Sequence, residues 1–61
     1  MSMRIHVLVS QGGRCVASET DVDDMSGALQ RARPDIEDDK PFEVFVFAST
    51  SGVLVDHFIE S

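Results

Sequence analysis

Residues 42–48, Phe-Glu-Val-Phe-Val-Phe-Ala, are the stretch that most narrows what this chain can fold into. Side chains alternate along a strand, so Phe42, Val44, Val46 and Ala48 share one face while Glu43, Phe45 and Phe47 share the other. Both faces are apolar, which predicts a central strand with something packed over each side. A chain of 61 residues holds one domain, residues 1–61, and hydrophobic residues make up 43% of it. That suffices for one thin two-layer core, and the entropy of ordering so short a chain demands that nearly every apolar side chain be buried.

The flanking segments supply the partners of that strand. Met3, Ile5, Val7 and Val9 alternate with Arg4, His6, Leu8 and Ser10, the pattern of a half-buried strand. Gln11-Gly12-Gly13 marks a turn, and residues 14–18 read as a brief return strand at a sheet edge, with Cys15 and Ala17 on one face and Val16 on the other. After Ser49-Thr50-Ser51-Gly52, a hairpin loop, residues 53–59 place Val53, Val55, His57 and Ile59 opposite Leu54, Asp56 and Phe58.

Between the two hairpins a helix is expected from Thr20 or Asp21 to Pro34. Thr20 and Asp23 resemble a capping box, and Asp21, Asp23 and Asp24 at its start and Arg31 and Arg33 at its end suit the macrodipole. Val22, Met25, Leu29 and Ala32, with Ala28 beside them, form its expected buried stripe. The result is an α+β fold, ββαββ. Its four-stranded, mainly antiparallel sheet has the order 2-1-3-4, and the helix packs on one face.

Nine of the eleven carboxylates lie in residues 19–43, against Arg31, Arg33 and Lys40. The loop 34–41 is bounded by two prolines; Ile36 is its anchor to the core, and its carboxylates must be solvated. A net charge of −6 argues against direct binding to nucleic acid, whose phosphates need clustered Lys and Arg, and against anionic membranes. It favours a basic partner. Asp21, Asp23, Asp24, Asp35, Glu37, Asp38, Asp39 and Glu43 are the candidate partner-binding residues, a negative stripe that could stand in for phosphates.

No constellation for catalysis emerges. His6 and His57 lack further ligands for a metal, and Asp56-His57 with Ser10 or Ser51 lacks the strained nucleophile turn of a hydrolase. Gly12-Gly13 is too short to cradle a phosphate. The reading is therefore a non-enzymatic protein with no cofactor and no metal. Cys15 stands alone, so no intramolecular disulfide is possible, and it is expected as a buried strand residue in a reducing cytosol. The start, Met1-Ser2-Met3-Arg4 followed by a short apolar run, does not resemble a leader or a membrane span, so a cytoplasmic location is expected.

One helix cannot cover both faces of a four-stranded sheet. Leu8, Phe45, Leu54 and Phe58 are accordingly expected on the uncovered face, as a surface for self-association into a homodimer.

In size, acidity and hairpin-helix-hairpin layout, the chain resembles the small phage-encoded anti-CRISPR proteins, some of which mimic DNA to block target recognition. The resemblance covers the whole chain and rests on architecture and charge. That class shares no motif, so no residue role carries over. It implies an inhibitor in the host cytoplasm that occupies the basic groove of a nucleic-acid-binding complex, a Cascade-type effector being the most concrete candidate. The alternative is a small self-associating structural or regulatory module, acidic for solubility or salt adaptation alone.

Overall fold

A computed structural model describes residues 3–61. Met1 and Ser2, part of the start read above as too short for a leader, lie outside the described residues. The elements run β1 (Ile5–Gln11), β2 (Arg14–Val22), α1 (Met25–Ala32), a 3-10 turn (Arg33–Asp35), β3 (Phe42–Ala48) and β4 (Leu54–Glu60). The sheet has the order β2-β1-β3-β4, and each neighbouring pair is antiparallel. The expected α+β architecture and strand order are both present.

The core lies between the sheet and α1. Ile5, Val7 and Val9 from β1, Phe42, Val44 and Val46 from β3, Ala28 and Ala32 from α1, and Ile36 from the loop form one buried cluster. The alternation in β1 and β3 is realised as read, with their even-and-odd faces strictly buried or half-buried in turn. Val9 and Val44 are the most deeply enclosed, as expected for the middle of two central strands.

The first half of the chain departs from expectation between residues 19 and 25. The return strand continues to Val22, which pairs with Ile5, and α1 is correspondingly shorter than its sequence pattern suggested. Val22 therefore belongs to the strand. The register slips between Ile5 and Val7, where an extra residue on β2 makes a bulge, and Asp21 there takes a φ of 60°. Ladder pairing with β1 outweighs the local cap signal of Thr20 and Asp23. Asp24 caps the helix instead, its side chain accepting a bond from the Gly27 amide at 3.2 Å. Met25 and Leu29 are half-buried at the margin of the core, and the alanines face the sheet.

The α-helix ends at Ala32, and Pro34 fits the first turn of the 3-10 segment, where its missing amide is not needed. Ile36 is buried and anchors the loop as expected, whereas Cys15 is exposed rather than buried. No described helix is long and apolar enough to cross a membrane.

Candidate functional site

Both ends of α1 carry carboxylates, and the fold sets them apart. Asp21, Asp23 and Asp24 cluster at the helix start, where the β2 bulge turns the chain. Arg4 sits among them: its Nη1 donates to the Asp21 carbonyl oxygen at 3.0 Å, and its Nε lies 3.2 Å from Asp23 Oδ1. Asp24 spends its carboxylate on the helix cap, with Arg31 close enough to feel its charge. Arg4 and Arg31 thus offset part of the charge of these three carboxylates.

Asp35, Glu37, Asp38 and Asp39 lie at the other end. Eight α-helical residues and a short 3-10 turn lie between the two ends of the expected stripe, a span of about 18 Å. Between them Arg31 bonds Glu19 with its Nε, at 3.0 and 2.8 Å to the two carboxylate oxygens. These hydrogen bonds hold the Glu19 carboxyl below the ordinary carboxylate value; slight desolvation opposes the shift and the charge of Arg31 adds to it. The same bonds raise the Arg31 guanidinium above its ordinary value.

The second group is fixed by a residue that its sequence context marks only as part of a turn. Gln11 ends β1 with 6% exposure, and its side chain reaches into the loop. Its Nε2 donates to the carbonyl oxygens of Glu37 (2.9 Å) and Lys40 (3.2 Å), and its Oε1 accepts the Glu37 amide at 2.9 Å. With Ile36 buried in the core, the loop is held at two points. A buried glutamine beside a glycine turn carries no distinctive pattern, so its role emerges only in three dimensions.

Of the loop carboxylates, Glu37 pairs with Lys40 at 3.5 Å. Arg33 is directed to the Phe42 ring, 5.6 Å from its centroid. Asp35, Asp38 and Asp39 are exposed and have no ion-pair partner among the described residues.

Glu43 belongs elsewhere. It lies on the sheet face opposite α1 and its Oε2 is 2.8 Å from His57 Nε2, while the His57 ring stacks on Phe45 with centroids 4.5 Å apart. Leu8, Phe45 and Leu54 share this face, as expected of a self-association surface. Phe58 does not. It pairs with Val44, whose side chain is in the core, and packs against the core cluster on the helix side. A bulge between Val46 and Phe47 pairings shifts the phase of β4 by one residue, bringing Leu54 to the face of His57 and Ile59 and leaving Asp56 and Phe58 on the other.

The histidines sit apart, His6 opposite Phe47 on β1 and His57 opposite Phe45 on β4, with β3 between them. His6 Nε2 is buried and lacks a hydrogen-bond partner among the described residues. The Asp56 carboxylate bonds the His57 amide rather than its ring. No group of three or more His, Cys, Asp or Glu among the described residues is arranged to hold a metal ion.

A half-open cleft of about 150 Å³ lies beside α1, where the helix presents alanines to β1 and β2. Val7, Val9, Ala17, Ala28 and Ala32 are among its walls, with Glu19, Arg31 and Asp35 also lining it. Its volume matches a benzene-sized group at most.

Fold and site together define a small acidic α+β protein with a pinned carboxylate loop and an open sheet face. The chain matches no family model, and no characterised protein or solved structure is significantly similar to it.

Proposed function

We propose that this is a non-enzymatic acidic binding protein that inhibits a nucleic-acid-binding protein or ribonucleoprotein complex by occupying its basic groove. The observation that carries the reading is the loop at the end of α1. Gln11 and Ile36 fix its backbone while Asp35, Asp38 and Asp39 remain exposed and unpaired. Carboxylates on a preordered loop meet Arg and Lys without first losing loop entropy, and charge-assisted bonds form there with favourable geometry. The group at the helix start contributes less, since Asp23 is paired with Arg4 and Asp24 holds the helix cap. Glu43 is engaged by His57 on the other face and takes no part. The DNA-mimic reading thus rests on the loop, and a Cascade-type effector is the partner class that the resemblance to anti-CRISPR proteins implies.

The test is affinity capture of a nucleic-acid-binding partner, repeated with competing duplex DNA. Duplex DNA is expected to displace the protein. The double variant Asp38→Lys/Asp39→Lys is expected to bind roughly tenfold more weakly or worse, whereas Asp56→Lys on β4 binds normally. Rising salt should slow association, because exposed charges are screened beyond about 8 Å at 0.15 M. Unchanged affinity and salt dependence in the double variant would overturn the reading.

A further inference from the structure

The sheet has a covered face and a bare one. On the bare face Leu8, Phe45 and Phe47 are half-buried by their neighbours, while Leu54 and Ile59 are 49% and 64% exposed. No described element of the chain crosses them. An apolar face of this kind is stable in water when a second layer lies on it.

Strand-edge pairing through β4, which carries the exposed Leu54 and Ile59, is a poor way to satisfy that surface. On the outer strand β4, the His57 amide is already bonded to Asp56 Oδ1 at 2.9 Å, and the ladder is bulged at the residue before Asp56. Bulges and inturned carboxylates are the devices that blunt a sheet edge. The face itself carries no such protection.

Charge identifies a suitable occupant. Glu43 is the one carboxylate that strand register places on the bare face among the described residues, and His57 holds it at 2.8 Å. The acidic groups of α1 and its loop lie elsewhere, so two copies of a chain of net charge −6 can approach here with their carboxylates apart. Shape agrees. β4 presents Leu54, His57 and Ile59 on this face, whereas β2 at the other edge presents the small Cys15 and Ser18 and the central strands present Leu8, Phe45 and Phe47. A twofold axis parallel to the strands lays β4 of one copy over β2 of the other, large over small, and brings Leu8 of β1 over the phenylalanines of β3 in the middle.

We propose that two copies of this chain pack their bare sheet faces together about such an axis, forming a two-sheet sandwich with a helix on each outer side. Four strands about 4.8 Å apart and seven residues long at about 3.4 Å each give a face of about 450 Å². Two such faces exceed the area typical of lattice contacts and fall short of a standard stable interface of about 1,600 Å², so the dimer is expected to be weak and concentration-dependent. This surface is separate from the acidic loop, and the inference stands or falls independently of the function proposed above.

The experiment is sedimentation of the purified chain over roughly 1 to 500 µM, at low and high salt. A monomer–dimer equilibrium is expected, and it should strengthen as salt screens the repulsion between like-charged copies, opposite to the salt response of a basic partner. Leu54→Lys and Ile59→Lys should each weaken the dimer by roughly tenfold although both reduce the net negative charge. Both side chains are exposed, so thermal melts should confirm that the variants stay folded. The Cys15 thiol, exposed in the single chain and opposite Ser10 on this face, should react more slowly as the dimer fraction rises. A monomer throughout in high salt would overturn the proposal. So would a dimer indifferent to both variants, or one in which Cys15 reacts at the monomer's rate and the His57 amide becomes protected, the sign of edge pairing.

Discussion

Gln11 grips both polar groups of the residue Glu37, accepting its amide with Oε1 and donating to its carbonyl oxygen with Nε2, each at 2.9 Å. One side chain at the end of a central strand thereby fixes the loop that carries the unpaired carboxylates. A side-chain amide suits this task because it offers a donor and an acceptor at once.

The first prediction follows from that pairing. Gln11→Leu should cost about 1–3 kcal/mol, since it leaves the Glu37 amide without its partner and the Glu37 carbonyl with only the Lys40 amide, in a half-buried setting. Gln11→Glu should cost more than Gln11→Leu at neutral pH, because a carboxylate cannot donate and faces two carbonyl oxygens. Thermal melts would rank the two variants, and hydrogen exchange at the Glu37 amide would locate the change. Equal stability of wild type and both variants would mean that the loop is not held this way.

The second prediction contrasts two apolar side chains. Val44 is fully enclosed at 0% exposure, whereas Leu29 lies half-buried at the helix margin. Val44→Ala should cost about 2–3 kcal/mol and Leu29→Ala about 1–2, although the latter removes more atoms. A larger loss at Leu29 would place it in the core, as the helical spacing alone suggested.

What was legible in the sequence, and what was not, divides at the bulges. The alternation in residues 42–48 predicted the buried and half-buried faces of β3 correctly, because an unbroken ladder preserves period two. β4 has apolar residues on both faces, so its phase cannot be read without knowing where the bulge falls, and Phe58 was expected on the wrong face. Residues 20–24 differ from their sequence pattern for another reason. Thr and Asp favour both helix caps and bulged turns, and only the pairing of Val22 with Ile5 decides between them. The acidic residues were evident as a group, but their division by the helix and the pinning by Gln11 arise from contacts between residues far apart in the chain.

The third prediction concerns pH. Hydrogen bonds from Arg31 lower the Glu19 carboxyl from its ordinary value, so this pair contributes stability that is present above the unfolded carboxyl's range. The contribution is lost as the pH falls through the lowered value, when the folded-state carboxyl takes up its proton. The pair is exposed, so the effect is small and should shrink with salt. Glu19→Gln should flatten the acid side of the stability profile relative to wild type and leave its alkaline side unchanged. An identical acid slope in both proteins would show that the pair contributes nothing.

The last prediction separates backbone from charge at the helix start. Asp21 holds a φ of 60°, a conformation open to glycine and tolerated by Asp. Its carbonyl oxygen, not its carboxylate, receives the Arg4 bond. Asp21→Gly should therefore keep the bulge and the Arg4 contact and leave stability unchanged or slightly raised. Asp21→Val removes the same charge but puts a β-branched side chain in the left-handed region, which should cost roughly 1–2 kcal/mol. Melts of the two variants read the backbone effect. Partner binding by Asp21→Gly reads the charge, and because Arg4 and Arg31 already stand beside this group, affinity should fall by no more than about twofold. A tenfold loss would move the docking surface from the loop at residues 35–39 to the start of α1, with Asp21 as one of its contacts.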